Sequence, residues 1–255
     1  MRGAIKFQCI LDCSNVCCGG ATIITLKELG KLYRFFPITL GFSKIYPLNS
    51  IHRKYIEDFS FRYKSFYIIG DFIAGNRLNK KCRLLKNYLC SIHGSLKPLQ
   101  CHIIPFSVTF PEALQNFVIA ERRRTAFKEC KGFNESSPVI WNGEFTDEKL
   151  REKFYILRNN LIEQRDMMNR FFLKFENHIA FRKFIDKESG FLEVPIVEDF
   201  IDELCEIALI DDIGDFLKSQ RSLFIKELTV GGIKNSLFVD ALNAIDRFKS
   251  LISKI

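Results

Sequence analysis

Seven of the nine cysteines fall in two tight groups, Cys9, Cys13, Cys17 and Cys18, then Cys82, Cys90 and Cys101. Unlinked cysteine is an uncommon residue that usually sits singly in a core, so clustering points to thiolate chemistry. Thiolates that share a metal must be brought within a few ångströms of one another. A stretch near residue 10 and another near residue 90 are therefore expected to converge, and few other features of the chain constrain its fold as strongly.

Disulfides are the first competing reading, and unrelated core thiols the second. The start, Met1-Arg2-Gly3-Ala4-Ile5-Lys6-Phe7-Gln8-Cys9, has no uninterrupted apolar stretch and no small-residue cleavage site. A cytoplasmic protein with reduced thiols is expected on that ground. A chain of 255 residues that is 47% hydrophobic can also fill a core without disulfide staples. Metal binding is the reading preferred.

The spacing limits the backbone of the first group. On a helix, Cys9, Cys13 and Cys17 would share a face but spread over roughly 12 Å of axis. Thiolates around one tetrahedral ion sit only about 3.8 Å apart, so the segment is expected to fold back as a loop through Ser14, Asn15, Gly19 and Gly20. Adjacent Cys17 and Cys18 point in different directions in most backbone conformations. Either one of them is not a ligand or the centre is polynuclear.

In the second group, Cys82 and Cys90 bracket a short turn, and Cys101 lies between Pro98 and Pro105, which restrict the backbone around it. His93 and His102 are near enough in sequence to be alternative nitrogen ligands, although a histidine merely neighbouring a metal loop is the plainer reading. No C-x2-C and H-x3-H zinc-finger spacing occurs, so spacing alone does not name the metal.

The run Phe7-Gln8-Cys9 through Cys17-Cys18-Gly19-Gly20, then Ile23 to Leu29, resembles the opening of the YkgJ-like cysteine-cluster proteins, a family of zinc- or iron-chelating domains. Further on, Cys82-Arg83-Leu84-Leu85, Leu89-Cys90-Ser91-Ile92-His93, Lys97-Pro98-Leu99-Gln100-Cys101 and Pro105-Phe106 are similar to the family's later motifs in order and local spacing. Cys130-Lys131-Gly132 fits the place of an eighth family cysteine. The resemblance covers residues 7–135. It implies a ligand pool of Cys9, Cys13, Cys17, Cys18, Cys82, Cys90, Cys101 and Cys130, holding iron as an iron–sulfur cluster, or zinc. The C-x3-C-x3-CC opening is closer to that of the flagellin lysine N-methylases, which share the domain. Protein-lysine N-methyltransfer is the alternative that this implies. Eight thiols exceed the four that one cluster or one structural zinc needs, so either some are spare or there are two metals.

The rest of the chain reads as an α+β fold: an irregular cysteine-rich metal module over residues 1–140 and a helical extension over 141–255 that packs on it. Thr25-Leu26-Lys27-Glu28 is a capping box, leading into a helix with Leu29, Leu32 and Phe35 inward. Phe61 to Ile69 reads as a strand ending at a Gly70-Asp71 turn. From Thr146 on, Leu150, Phe154, Leu157, Leu161, Met168, Phe171, Phe172 and Phe175 recur at helical spacing and predict one long packing helix. Two more helices are expected over 195–218 and 234–253. Cys205 lies outside the cysteine pattern and is expected to be a buried core thiol.

Charge divides the same way. Residues 1–140 carry 21 Lys and Arg against 9 Asp and Glu, a net +12, while residues 141–255 carry 17 against 21, a net −4. The basic half, densest at Arg122-Arg123-Arg124, or the helical tail suits a protein partner. Nucleic acid is disfavoured because no binding motif accompanies the charge. No apolar run is long enough to span a membrane. Electron transfer or metal handling is the expected role. If the chain is an enzyme, an iron–sulfur-dependent oxidoreductase or the methyltransferase is meant. A radical S-adenosylmethionine enzyme would need C-x3-C-x2-C, and no glycine-rich loop for a methyl donor is present.

Overall fold

A computed structural model describes residues 3–10, 22–75, 82–86, 89–92, 94, 96–176, 179–187, 190–194, 200–201, 203–204, 212–231 and 236–252. The fold is organised by strand β5, Phe66–Ala74, which is buried at every position. Its side chains alternate between two cores. Phe66, Ile68, Phe72 and Ala74 belong to one, Tyr67 and Ile69 to the other. A strand covered on both faces reads as a nearly continuous apolar run, and the sequence of β5 has that character.

Four further strands build an antiparallel sheet around it. One edge of β5 pairs with β2, Thr22–Ile24, at one end and with β4, Phe61–Tyr63, at the other. The other edge pairs along its length with β3, Ile38–Ile45, from Ile38↔Ala74 to Ile45↔Tyr67. Beyond β3 lies β9, Phe191–Val194, with Gly41 opposite Glu193. Strand β9 comes from the C-terminal half, so both halves contribute to one sheet. Among the described residues two small ribbons complete the strands: β1, Ile5–Lys6, with β8, Val139–Trp141, and β6, Leu85–Lys86, with β7, Leu89–Cys90.

The expected turn at Gly70-Asp71 is not there. Strand β5 runs straight through both residues, and the reversal lies earlier, at Lys64-Ser65, where Lys64 takes a φ of 53°. Gly70 serves packing instead: a Cβ there would come within 2.6 Å of Met168 Cβ. Glycine in an apolar run has two meanings, turn and close approach, and only the tertiary neighbour tells them apart.

Helix α1, Leu26–Leu32, follows β2 through the expected capping box. After it come α2, Ser50–Ile56; α3, Leu99–His102; and α4, Gln115–Arg124. The long helix is α5, Glu148–Lys174, opened by Asp147, whose carboxylate accepts from the N–H groups of Lys149 and Leu150. At about 40 Å it is long enough to serve both cores. Phe154, Leu157 and Leu161 enter the second, Met167, Met168, Phe171 and Phe172 the first. Its buried Gln164 accepts from the Leu26 N–H and donates to the Gly70 carbonyl, closing main-chain groups of α1 and β5.

The later helices are α6, Ile179–Asp186, α7, Ile213–Gly231, and α8, Ser236–Ile252. The last agrees with the expected helix over 234–253. The one expected over 195–218 is met in part: residues 200–201 and 203–204 are helical, Asp212 is not, and α7 begins at Ile213 and continues past Lys218 to Gly231, while 195–199, 202 and 205–211 lie outside the described residues. Helix α7 is fastened to the sheet by fully buried Gln220. It donates to the carbonyls of Tyr33 and Phe36 and accepts from the Ile38 N–H. Among the described residues no helix is long and apolar enough to cross a membrane.

Candidate metal centre

Of the second cysteine group, Cys101 stands on short helix α3. Pro98 precedes it, and the Cys101 N–H returns to the Pro98 carbonyl at 2.9 Å. The N-terminus of α3 is held by Glu28: one carboxylate oxygen accepts from the Leu99 N–H at 2.7 Å, the other from the N–H and hydroxyl of Thr25 at 2.9 Å. Burial pushes this carboxyl up, and the same hydrogen bonds from Leu99 and Thr25 oppose the rise. Glu28 therefore does more than cap α1. It ties the chain after the first cysteine group to the helix that carries Cys101.

Thr22, first residue of β2, places its hydroxyl 3.8 Å from Cys101 Sγ. Burial pushes the Cys101 thiol up to about 12; the Thr22 hydroxyl and the charge of Lys97 oppose this, while the charges of Cys82 and Cys90 add to it. At neutral pH the Cys101 thiol keeps its proton, so a metal that took this sulfur would have to displace it.

Cys90 ends β7 of the β6–β7 ribbon, and Cys82 lies three residues before β6. Leu85 pairs with Cys90, and the Cys82 carbonyl accepts from the Leu85 N–H at 3.0 Å. Both cysteines, with Leu84, are partly buried against the first core. The turn read from sequence between them is this ribbon, with residues 87–88 at its tip outside the described residues.

Cys9 is exposed and follows β1, beside the turn that carries Cys130. The Gln8 N–H donates to the Gly132 carbonyl at 3.0 Å, and Phe7 packs on Phe133. A Cβ on Gly132 would meet the Gln8 carbonyl oxygen at 2.6 Å, so this glycine is required by close backbone approach. Cys130 itself packs against the second core. Cys13, Cys17, Cys18, Cys205 and His93 lie outside the described residues, and His102 ends α3, half-buried. Residues 11–21 are thus bracketed by Cys9, beside the Cys130 turn, and Thr22, against Cys101. Among the described residues no group of three His, Cys, Asp or Glu side chains is placed to hold a metal ion.

The densest basic point is partly structural. Arg122 is largely buried and donates to the carbonyls of Pro105 and Phe106, Arg123 lies over Phe133, and Arg124 pairs with Glu121. Thr22 and the second role of Glu28 were not singled out by sequence reasoning. Thr22 carries a weak signal, as the first polar residue after the cysteine loop. The double use of Glu28 carries none, because its partner lies 71 residues away.

No family model, no curated protein and no solved structure matches this chain.

Proposed function

We propose that this protein binds iron as an iron–sulfur cluster, or zinc, through its clustered cysteines, and serves in electron transfer or metal handling. The observation that carries the reading is the contact of Cys101 with Thr22, the first described residue after the segment bearing Cys13, Cys17 and Cys18. The donor set is chemically suited: several thiols on separate segments, sparse competing ligands, and a hydroxyl positioned to donate to one sulfur. Thiols drawn from Cys82, Cys90 and Cys101 and from residues 11–21 would have to be brought together to complete a four-thiolate set. Cys9 and Cys130, on their own turn, would serve a second metal or remain spare. A cluster would supply a one-electron redox couple, while zinc would supply rigidity. The chain's own part is to hold the sulfurs, with Glu28 fixing α3 and Thr22 supporting Cys101.

The test is metal analysis with visible spectroscopy on anaerobically purified protein. Brown protein that bleaches with dithionite, with Cys101→Ser losing colour and Cys205→Ser keeping it, is expected. Colourless protein with stoichiometric zinc would move the assignment to zinc. Protein without stoichiometric metal would refute the reading.

A further inference from the structure

The helices of the C-terminal half have no part in the ligand pool, yet one of them reaches the cysteine ribbon. Arg83, next to Cys82, places its guanidinium Nη1 2.8 Å from Oε1 of Glu227 on α7. Both side chains are mostly buried, with 21% and 12% of their surface exposed, whereas most other ion pairs of the fold have at least one well-exposed member. The approach lies off the ideal hydrogen-bonding axis, so this is a charge contact more than a directed hydrogen bond. Around it, Cys82, Leu84 and Cys90 rest on the same core that takes Phe216, Leu217, Phe224 and Leu228 from α7. The ribbon itself is short: β6 and β7 pair over two residues each. Two-residue strands are too short to be stable alone, so their position depends on what they pack against.

We propose that the Arg83–Glu227 pair is the joint by which α7 holds the Cys82–Cys90 ribbon at the metal site, making these two thiols' geometry depend on the docked C-terminal helix. The inference rests on reading Cys82 and Cys90 as ligands. Arg83 and Glu227 are positioning residues: neither supplies a sulfur. Removing one charge breaks the ion pair that links the ribbon to α7. The ribbon would then be released from α7 while Gln220 keeps the helix on the sheet. The C-terminal half thereby acquires a defined task at a site to which it contributes no ligand.

The experiment is alkylation footprinting of individual cysteines in metal-free, reduced protein, read by peptide mass spectrometry, alongside the release of metal to a chelator from loaded protein. In Glu227→Gln, alkylation at Cys82 and Cys90 should rise at least about tenfold relative to Cys130, because the ribbon has lost its ion pair to α7 and opens more often. Reversing the pair, Arg83→Glu with Glu227→Arg, should bring the rates back toward wild type. Arg221→Gln, which breaks the α7–α8 pair with Asp246 instead, should leave them unchanged. Unaltered rates in Glu227→Gln, an equal rise at Cys130, or the same rise in Arg221→Gln would overturn the proposal. The metal arm separates the two claims. Wild-type protein without metal but with the expected footprint would sink the metal reading and leave the joint standing; wild-type protein with metal but no change in footprint would do the reverse.

Discussion

Replacing Asp71 by Asn should change how stability depends on pH. Asp71 sits in the middle of β5, opposite Gly41 of β3, 4% exposed, and its Oδ1 has no hydrogen-bond partner. Burial alone pushes its carboxyl from 3.8 up to about 7. In the unfolded chain the group ionises near its ordinary value, while the folded chain keeps the proton to about pH 7. Between those limits the folded state binds more protons, so stability falls as pH rises, by about 1.4 kcal/mol per pH unit. Over roughly three units the cost approaches 4 kcal/mol, a large share of the 5–15 kcal/mol typical of a folded protein. Asn has the same shape and does not titrate. Its own unsatisfied amide adds a penalty that is constant with pH, so the informative quantity is the change in the difference between the two proteins. Urea unfolding from pH 4 to pH 8 should show Asp71→Asn gaining on wild type by about 4 kcal/mol across that range, or roughly ten degrees in melting temperature. A difference that stays flat within about 0.5 kcal/mol would show that Asp71 ionises normally, and the argument from burial would fail.

His52 should act with the opposite sign. Its Nδ1 accepts from the Leu48 N–H and its Nε2 donates to the Thr109 carbonyl, which fixes a neutral ring, stacked on Phe110. Burial lowers its pKa, so the unfolded state takes up the proton first and stability falls as pH drops below about 6.5. Unfolding titrations of His52→Gln should lack that decline and show a loss of about 1–2 kcal/mol at pH 8, where only the hydrogen bonds are missing. Gly70→Ala should cost about 1–3 kcal/mol in denaturant unfolding, because the new methyl group overlaps Met168 Cβ, on the helix itself. A neutral result there would mean that α5 can slide on β5.

Several local signals whose partner was near in sequence survived into the fold, though the Lys64-Ser65 reversal between β4 and β5 was missed. The Thr25 to Glu28 box, the long helix and the last helix are set by side chains within a few residues of the elements they open or line. Elements whose partner was distant were misjudged. The apolar run through Gly70 was cut short because the contact explaining that glycine comes from Met168, far along the chain. Strand β9 went unread because four residues with a charge among them form a strand only when β3 offers an open edge.

The thiols themselves were legible from the outset, since cysteine clustering is a property of composition and spacing. So were their order along the chain and the charge division of its halves. What the sequence could not determine was their company. Thr22 against Cys101, Glu28 reaching to Leu99, and Glu227 reaching to Arg83 are single contacts between segments of ordinary composition. Propensity and periodicity act over one or two turns of chain, whereas a hydrogen bond or ion pair across the fold depends on which faces the two cores bury. Tertiary structure therefore decided which residues support the cysteines, and the sequence alone decided that there were clustered cysteines to support.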